Sequence, residues 1–495
     1  MSIEEIAAFA KRKGFVFPSG EIYGSLSGFW DYGPLGTELK RNIERELWDF
    51  FVRSREDIVG IDGSIVTHPS VWKASGHLDS FTDPLVRCKR CGKRYRADKL
   101  IEDELGLRVD GVSPEKMERM IREKTLKCPE CSGDLGSVRA FNLMFSTEVG
   151  PTGTRAYLRP ETAQLIFTNF ELVQRAARKK LPFGIAQLGK AFRNEISPRN
   201  FLMRSREFTQ FEIEFFVHPE KMDECPCFGE VESLRVWVFS RRHQKGGEPE
   251  RMTVGEAVDS GIFGSRWHAY WLGKFCEFFT RLGLDPDRLR LRQHLEEELS
   301  HYAEDTWDIE YRFPFGWREI HGCANRTDFD LKRHSEVSGK ELAYFDQESG
   351  KRIVPYVIEP SQGVDRLFLA LLFEAYTREE ERTVLRLKPF LAPYVLAVFP
   401  LVKRDGLPEK AREIFSELST CFPCFYDESG SIGRRYRRMD EIGTPFCVTV
   451  DGETLENGTV TLRERDSMEQ KRVRIGDLKK VLSELIRGKS FSELP

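Results

Sequence analysis

Arg193, Arg199, Arg204 and Arg206 crowd into a short stretch with Glu195, Glu207, Glu212 and Glu214. Fixed guanidinium charge at this density suits a polyphosphate, because each planar fork can meet two phosphate oxygens. Residues 185–195 and 206–216 read as two strands joined by a loop containing Ser197, Pro198 and Asn200. Alternation on the first puts Gln187, Arg193 and Glu195 on one face; on the second it separates Phe211, Ile213 and Phe215 from Gln210, Glu212 and Glu214. Paired antiparallel, the strands would carry a polar floor with one guanidinium and several carboxylates. A solvated, salt-bridged hairpin is the competing reading of such residues in isolation.

A second constellation is Cys88-Lys-Arg-Cys91 with Cys128-Pro-Glu-Cys131. Two CxxC knuckles are a zinc signature, and four cysteine ligands leave no open position, so the metal would be structural. The gap between the knuckles, positions 92–127, is longer than in a usual zinc ribbon, and metal-free reduced cysteines are the alternative. Cys421 and Cys424 read as buried thiols, Cys225-Pro-Cys227 is a weaker signal still, and none of the nine histidines has a metal-ligand spacing.

These residues need a scaffold. The loop GSLSGFWDYGPLG leads into a helix with Leu39, Ile43, Leu47 and Phe50 at helical spacing. Residues 82–141 are charged and cysteine-bearing, which predicts an inserted subdomain; 217–312 mixes Gly, Pro, charge and aromatics and reads as a second insertion of no legible function. A strand over 353–359 enters, through Pro360, Ser361, Gln362 and Gly363, the helix GVDRLFLALLFEAY, apolar nearly all round as a buried helix is. The Pro-rich junction at 389–393 is the best boundary. Beyond it YVLAVFPLV, EKAREIFSELST, FCVTVD, TVTLRERD and DLKKVLSELIR alternate as in a compact α/β domain.

FRNE, the RxxxF of Arg204 to Phe208 and GVDR at 363–366 resemble motifs 2 and 3 of the class II aminoacyl-tRNA synthetases, and GFWDYGPLG with its helix resembles motif 1, Pro34 standing at the motif's proline. The finer resemblance is to glycyl-tRNA synthetases of the homodimeric type. FPSGEIYGSLSGFWDYGPLG, LRPETAQ, FRNEISPR, REFTQFEIEFF, GWREIHGCANRTDFDL, EPSQGVDR and GRRYRRMDEIGTPFCVTVD carry it over nearly the whole chain, most weakly over 217–310.

The resemblance implies an α+β protein: an antiparallel-sheet catalytic core at 1–388 with a zinc-bearing insertion at 82–141 and a second at 217–312, then an anticodon-binding domain at 389–495. It implies adenylation of glycine by ATP and transfer to the tRNA 3′-terminal adenosine. Arg193, Glu195 and Arg366 would be catalytic. ATP would meet Arg193, Asn194, Glu195, Met203, Arg204, Ser205, Arg206, Glu207, Phe208, Glu319, Ile320, Gly363, Val364, Asp365 and Arg366. Glycine would meet Arg96 on its carboxylate side, Glu161, Glu212, Glu359 and Ser361 around its ammonium, and the flanking Phe208, Thr209, Gln210, Phe211, Pro360, Gln362 and Gly363. Magnesium with ATP, a structural zinc, a tRNA partner and a homodimer complete the expectation. Steric exclusion of anything larger than glycine lessens the need for an editing site.

Lys plus Arg is 76 against 79 Asp plus Glu, so the net charge of −3 neither demands nor excludes RNA. Eleven cysteines and an N-terminus, MSIEEIAAFAKRKGF, without an apolar run predict a soluble cytoplasmic protein with free thiols, and no stretch is apolar enough for a membrane span. Two rival readings are a synthetase for proline, threonine or serine, which the three glutamates and EPSQG oppose, and a non-catalytic nucleic-acid-binding paralogue, which the retained Arg193, Arg204 and Arg366 oppose. The arginines around Tyr436 suit RNA, where phosphates are neutralised and bases stack.

Overall fold

The computed structural model describes residues 1–107, 109, 112–300 and 302–494. Its centre is a nine-stranded sheet in the order Glu250–Thr253, Arg235–Phe239, Leu289–Gln293, Asp305–Phe313, Gly316–Thr327, Tyr356–Gly363, Glu207–Val217, Phe183–Phe192, Ile58–Ile61. Pairing is antiparallel except at Arg235–Phe239 with Leu289–Gln293 and at Ile58–Ile61 with Phe183–Phe192. On Glu207–Val217 the alternation sorts side chains as expected: Phe211, Ile213 and Phe215 are wholly buried in the apolar core, and Gln210, Glu212 and Glu214 lie on the polar face.

The apolar face is sealed by Arg266–Leu282, whose Trp267 and Trp271 rings lie 4.8 and 5.1 Å from Phe215. Pro34–Trp48 buries Leu39, Ile43 and Leu47 in the same core, and Val364–Ala375, apolar around its circumference, runs through it. Several boundaries differ from expectation. The strand Phe183–Phe192 stops before Arg193, because the Asn194 amide donates to the distant Leu143 carbonyl at 2.8 Å instead of continuing the ladder. The strand Tyr356–Gly363 runs through Pro360, Ser361, Gln362 and Gly363 rather than ending before them.

The 217–312 stretch is not a separate insertion. It supplies Arg235–Phe239, Glu250–Thr253, Leu289–Gln293 and most of Asp305–Phe313 to the main sheet, and its helix Arg266–Leu282 to the main core. By contrast, the 82–141 stretch forms its own three-stranded sheet, Arg94–Arg96, Thr82–Cys88 and Leu135–Asn142, with two helices and a small core. The C-terminal unit has five strands, Cys424–Tyr426, Leu396–Pro400, Phe446–Val450, Thr459–Glu464 and Gln470–Arg474, the first three parallel, with a core of its own. Among the described residues no helix is long and apolar enough to cross a membrane.

Candidate active site

A cavity of about 330 Å³ opens on the polar face of the central strands. Alternation determines what reaches it: Glu359, Ser361 and Gly363 from one strand, Gln210 and Glu212 from its neighbour, Thr306 and Asp308 from Asp305–Phe313. Glu161 enters just ahead of the helix Ala163–Ala177, and Arg366 in the first turn of Val364–Ala375. A larger hollow, about 1070 Å³, lies between the catalytic and C-terminal units and holds none of the residues expected to meet ATP or glycine, so chemistry rather than size picks the site.

One end of the cavity is an acidic floor. Glu212 accepts from Ser361 Oγ at 2.8 Å, Gln210 Nε2 at 2.6 Å and the Thr162 amide at 2.8 Å. Arg326, fully buried, donates to Glu359 at 2.9 Å and to Asp330 at 2.7 Å, and its guanidinium lies 3.9 Å from the Tyr302 ring centroid. Gln164 bridges Glu161 at 3.0 Å and Asp330 at 2.9 Å. The protonation states follow from burial set against these partners. Burial pushes Glu359 up to about 8 against the pull of Arg326. Burial, then the Glu161 charge, raises Glu212. Glu214, whose carboxyl oxygens have no hydrogen-bond partner among the described residues, is raised well above the carboxylate range by burial and then by Glu359. Glu161 alone is held well below it: burial opposes ionisation, but His77, Arg326 and Gln164 outweigh it.

The other end is cationic. Arg193 donates from Nε to the Pro160 carbonyl at 3.1 Å, and its guanidinium sits 5.2 Å from the Phe208 ring centroid. Arg366 pairs with Glu319 at 2.9 Å and donates to the Met203 carbonyl at 3.2 Å. Arg204 is engaged by Glu195 at 2.6 Å and Asp83 at 3.2 Å, so phosphates would take it in exchange for carboxylates. Asp365 accepts from Tyr32, and from the Thr209 amide at 2.5 Å, with Lys40 at 3.9 Å; it ties the third motif to the first. A Cβ on Gly363 would meet nothing nearer than Arg366 Cδ at 3.5 Å, which leaves backbone open to a nucleotide.

Glu319 and Asp308 both reach this end. Burial and then the Glu319 charge push Asp308 up to about 6, while His294, 2.9 Å away, pulls it down. Two close carboxylates beside a phosphate site are the oxygen donors a magnesium ion takes.

The cavity thus brings together Arg193, Glu195, Met203, Arg204, Ser205, Phe208, Glu319, Gly363, Asp365 and Arg366 of the expected ATP set, and Glu161, Thr209, Gln210, Glu212, Glu359 and Ser361 of the expected glycine set. Other expected residues lie elsewhere. Phe211, Ile320 and Val364 are fully buried in the apolar core, on the far side of their strands or helix. Pro360 and Gln362 alternate away from the cavity, Gln362 donating to the Ile320 carbonyl at 3.0 Å. Arg206 braces the loop by donating to the Glu195 and Ser27 carbonyls at 2.7 Å each, Glu207 pairs with Lys190 at 3.0 Å, and Asn194 serves through its backbone. Arg96 is bound to Asp83 at 2.9 Å and also to Asp98, outside the lining. Arg96, Asp83, Arg204 and Glu195 therefore form a relay of ion pairs from the cysteine-bearing insertion to the second motif.

The expectation had no place for His294, Thr306, Asp308 or Arg326. The first three come from the stretch read as an insertion. From Thr306 on, TWDIEYRF alternates strictly between polar and apolar residues, a signal that marks 306 and 308 as sharing one face.

The four Sγ atoms of Cys88, Cys91, Cys128 and Cys131 lie within 4.8 Å of one another, with two contacts at 3.5 and 3.7 Å. A tetrahedron of ~2.3 Å metal–sulfur bonds has edges of ~3.8 Å, so the set fits a zinc ion. Amides of Arg90 and Cys91, each 3.4 Å from Cys88 Sγ, favour the thiolate form. Among the described residues it is the one cluster of potential ligands this close; His301 lies outside them. In the C-terminal unit, the arginine run around Tyr436 divides. Arg435 is buried and donates to the Pro400 carbonyl at 2.6 Å, and Tyr436 bonds Thr449, so both fix the helix Ile432–Ile442 to the sheet. Arg434, Arg437 and Arg438 instead line an open hollow.

Residues 145–376 match the family model described as the tRNA synthetase class II core domain (G, H, P, S and T), and residues 396–485 match the anticodon binding domain. The fold and site are those of a class II synthetase core joined to an anticodon-binding domain. The chain is 51% identical to the glycine–tRNA ligase of Geobacillus thermodenitrificans over 98% of each chain. It is 50% identical to that of Geobacillus kaustophilus and 47% identical to that of Alkaliphilus oremlandii, over 98% of this chain and 99% of each relative. The chain belongs to the glycine–tRNA ligase family.

Proposed function

We propose that the chain attaches glycine to tRNA in two steps within the one cavity, as a cytoplasmic homodimer. The observation that carries this reading is the acidic floor of Glu161, Glu212 and Glu359, set in the same cavity as Arg193 and Arg366. An ammonium answers the floor and a polyphosphate answers the arginines, and the two reactants are held so that the glycine carboxylate faces the α-phosphate. That carboxylate is ionised at neutral pH and needs no general base. It attacks the α-phosphorus; Arg193 balances charge gathering on the phosphoryl oxygens, and pyrophosphate leaves toward Arg204 and Arg366. A terminal ribose hydroxyl of the tRNA then attacks the mixed anhydride and releases AMP.

Magnesium, held by Glu319 and Asp308, would offset the outer phosphate charge. Zinc at Cys88, Cys91, Cys128 and Cys131 is structural, holding the 82–141 unit in shape. Residues 1–388 and 389–495 make the catalytic and anticodon-binding units, and Arg434, Arg437 and Arg438 face the RNA. Dimerisation rests on the resemblance of residues 28–50 to motif 1. Charging of a glycine tRNA transcript with radiolabelled glycine, run beside sedimentation of the free enzyme, tests the proposal. No charging overturns the reaction, and a monomer at working concentration overturns the assembly.

A further inference from the structure

His77 belongs to none of the sequence motifs and does not line the cavity, yet its imidazole reaches the floor from behind. It opens the short helix His77–Ser80 immediately before the cysteine-bearing insertion and is 8% exposed. Nε2 lies 3.4 Å from Glu161 Oε2, and Nδ1 is 2.8 Å from Ser75 Oγ. The ring is held edge-on between Trp72, at 5.4 Å, and Phe81, at 5.2 Å. Both ring nitrogens therefore have a polar neighbour and the ring packs against two aromatics, which restricts the imidazole's orientation.

The backbone is fixed as firmly. Asn142, the last residue of the strand that closes the insertion, donates from Nδ2 to the carbonyls of His77 and Leu78 at 3.0 Å each. Thr82 and Asn142 are cross-strand partners, so the insertion leaves and rejoins the core at one crossing. Leu143 donates to the Phe81 carbonyl at 3.0 Å and accepts from the Asn194 amide at 2.8 Å, and the Arg193 guanidinium lies 5.6 Å from the Phe81 ring centroid. One short root, residues 77–81, thus touches both ends of the cavity.

We propose that His77 is a positioning residue for amino-acid binding: anchored by Asn142 at the root of the insertion, it aims the Glu161 carboxylate at the substrate ammonium. The inference rests on the functional reading above. Glu161 has Gln164 on one oxygen and His77 on the other. Loss of His77 leaves that carboxylate free to rotate toward Gln164 and away from the ammonium. Orientation of a carboxylate acts on binding of the group it faces, so the effect belongs to glycine and not to ATP.

The test uses the zinc-loaded full chain and ATP–pyrophosphate exchange. His77→Phe keeps the ring between Trp72 and Phe81 and removes both ring nitrogens. It is expected to raise the KM for glycine about tenfold, the value of one polar contact to a charged group, with the KM for ATP unchanged and kcat altered far less. His77→Gln puts an amide donor back near Glu161 and should recover most of the glycine KM. Asn142→Ala should move the glycine KM in the same direction with zinc content intact. A glycine KM left at the parent value in His77→Phe overturns the proposal; so does a parallel rise in both KM values, which a merely structural residue would give. If His77→Phe does not fold, His77→Gln and Asn142→Ala decide in its place: a loss in Asn142→Ala confined to glycine supports the proposal, and a parent glycine KM there defeats it. A parent enzyme without glycine-dependent exchange defeats the functional reading instead, so the two failures are distinguishable.

Discussion

Raising the pH from 7 to 8.5 perturbs the acidic floor without changing a residue. Glu359 is pushed up to about 8 by burial, against Arg326 and with the Glu212 and Glu161 charges adding to the rise. Its folded-state value stands above the ordinary ~4.3, so the stability this group contributes is full below ~4.3, declines as pH rises and is gone above about 8. An ammonium prefers the ionised carboxylate, hence glycine must displace the proton. At pH 7 the group is ionised in about one molecule in eleven and at pH 8.5 in about three in four, so the apparent affinity for glycine should improve about eightfold across that interval. Calorimetric titration in two buffers of different ionisation enthalpy should register release of about 0.9 proton per glycine bound at pH 7. Glu359→Gln has no proton to lose and should flatten the profile while weakening binding throughout. A glycine affinity that is level from pH 7 to 8.5, or no proton release, refutes the assignment of Glu359 to the ammonium.

Arg193→Ala removes the guanidinium that lies 5.2 Å from the Phe208 ring centroid at the cationic end; adenylate formation should fall by two or more orders of magnitude with the thermal unfolding curve unchanged, as single-turnover assays would register. Cys128→Ser leaves three sulfur ligands: bound zinc should drop well below one per chain, and proteolysis should cut first within 82–141, whose small core surrounds that cysteine. Arg326→Met abandons the buried Asp330 carboxylate and removes a hydrogen bond from Glu359, and should destabilise the catalytic unit by ~3–5 kcal/mol, read as a lower urea midpoint; an unchanged midpoint would mean the Arg326–Asp330 pair is solvated in solution.

What could be read from the sequence followed local periodicity. Phe211, Ile213 and Phe215 against Gln210, Glu212 and Glu214 sort by the two-residue repeat alone, and the buried helix after Gly363 by its uniform apolarity. The same rule ran the strand on to residue 195, whereas it ends at Phe192, where a carbonyl at Leu143, far off in the chain, captures the Asn194 amide; Arg193 and Glu195 reach the cavity from the loop beyond it. Nor could Phe211, Ile320, Val364 and Gln362 be separated from their cavity-lining neighbours by membership of a motif, because adjacent residues on a strand point to opposite faces. Arg326 was invisible because its role depends on Glu359, brought beside it only by the pairing of Gly316–Thr327 with Tyr356–Gly363. Around Tyr436 the helical turn rotates Arg435 inward and its neighbours outward, a division that counting arginines cannot make.

The most direct test of the central claim is ATP–pyrophosphate exchange with glycine, alanine, serine, proline and threonine supplied one at a time, with magnesium. Exchange supported by glycine alone is the expected result, since the floor of Glu161, Glu212 and Glu359 recognises an ammonium and leaves selection to size. Exchange supported by alanine or serine as well as by glycine, or by none of the five in folded, zinc-replete protein, would contradict it.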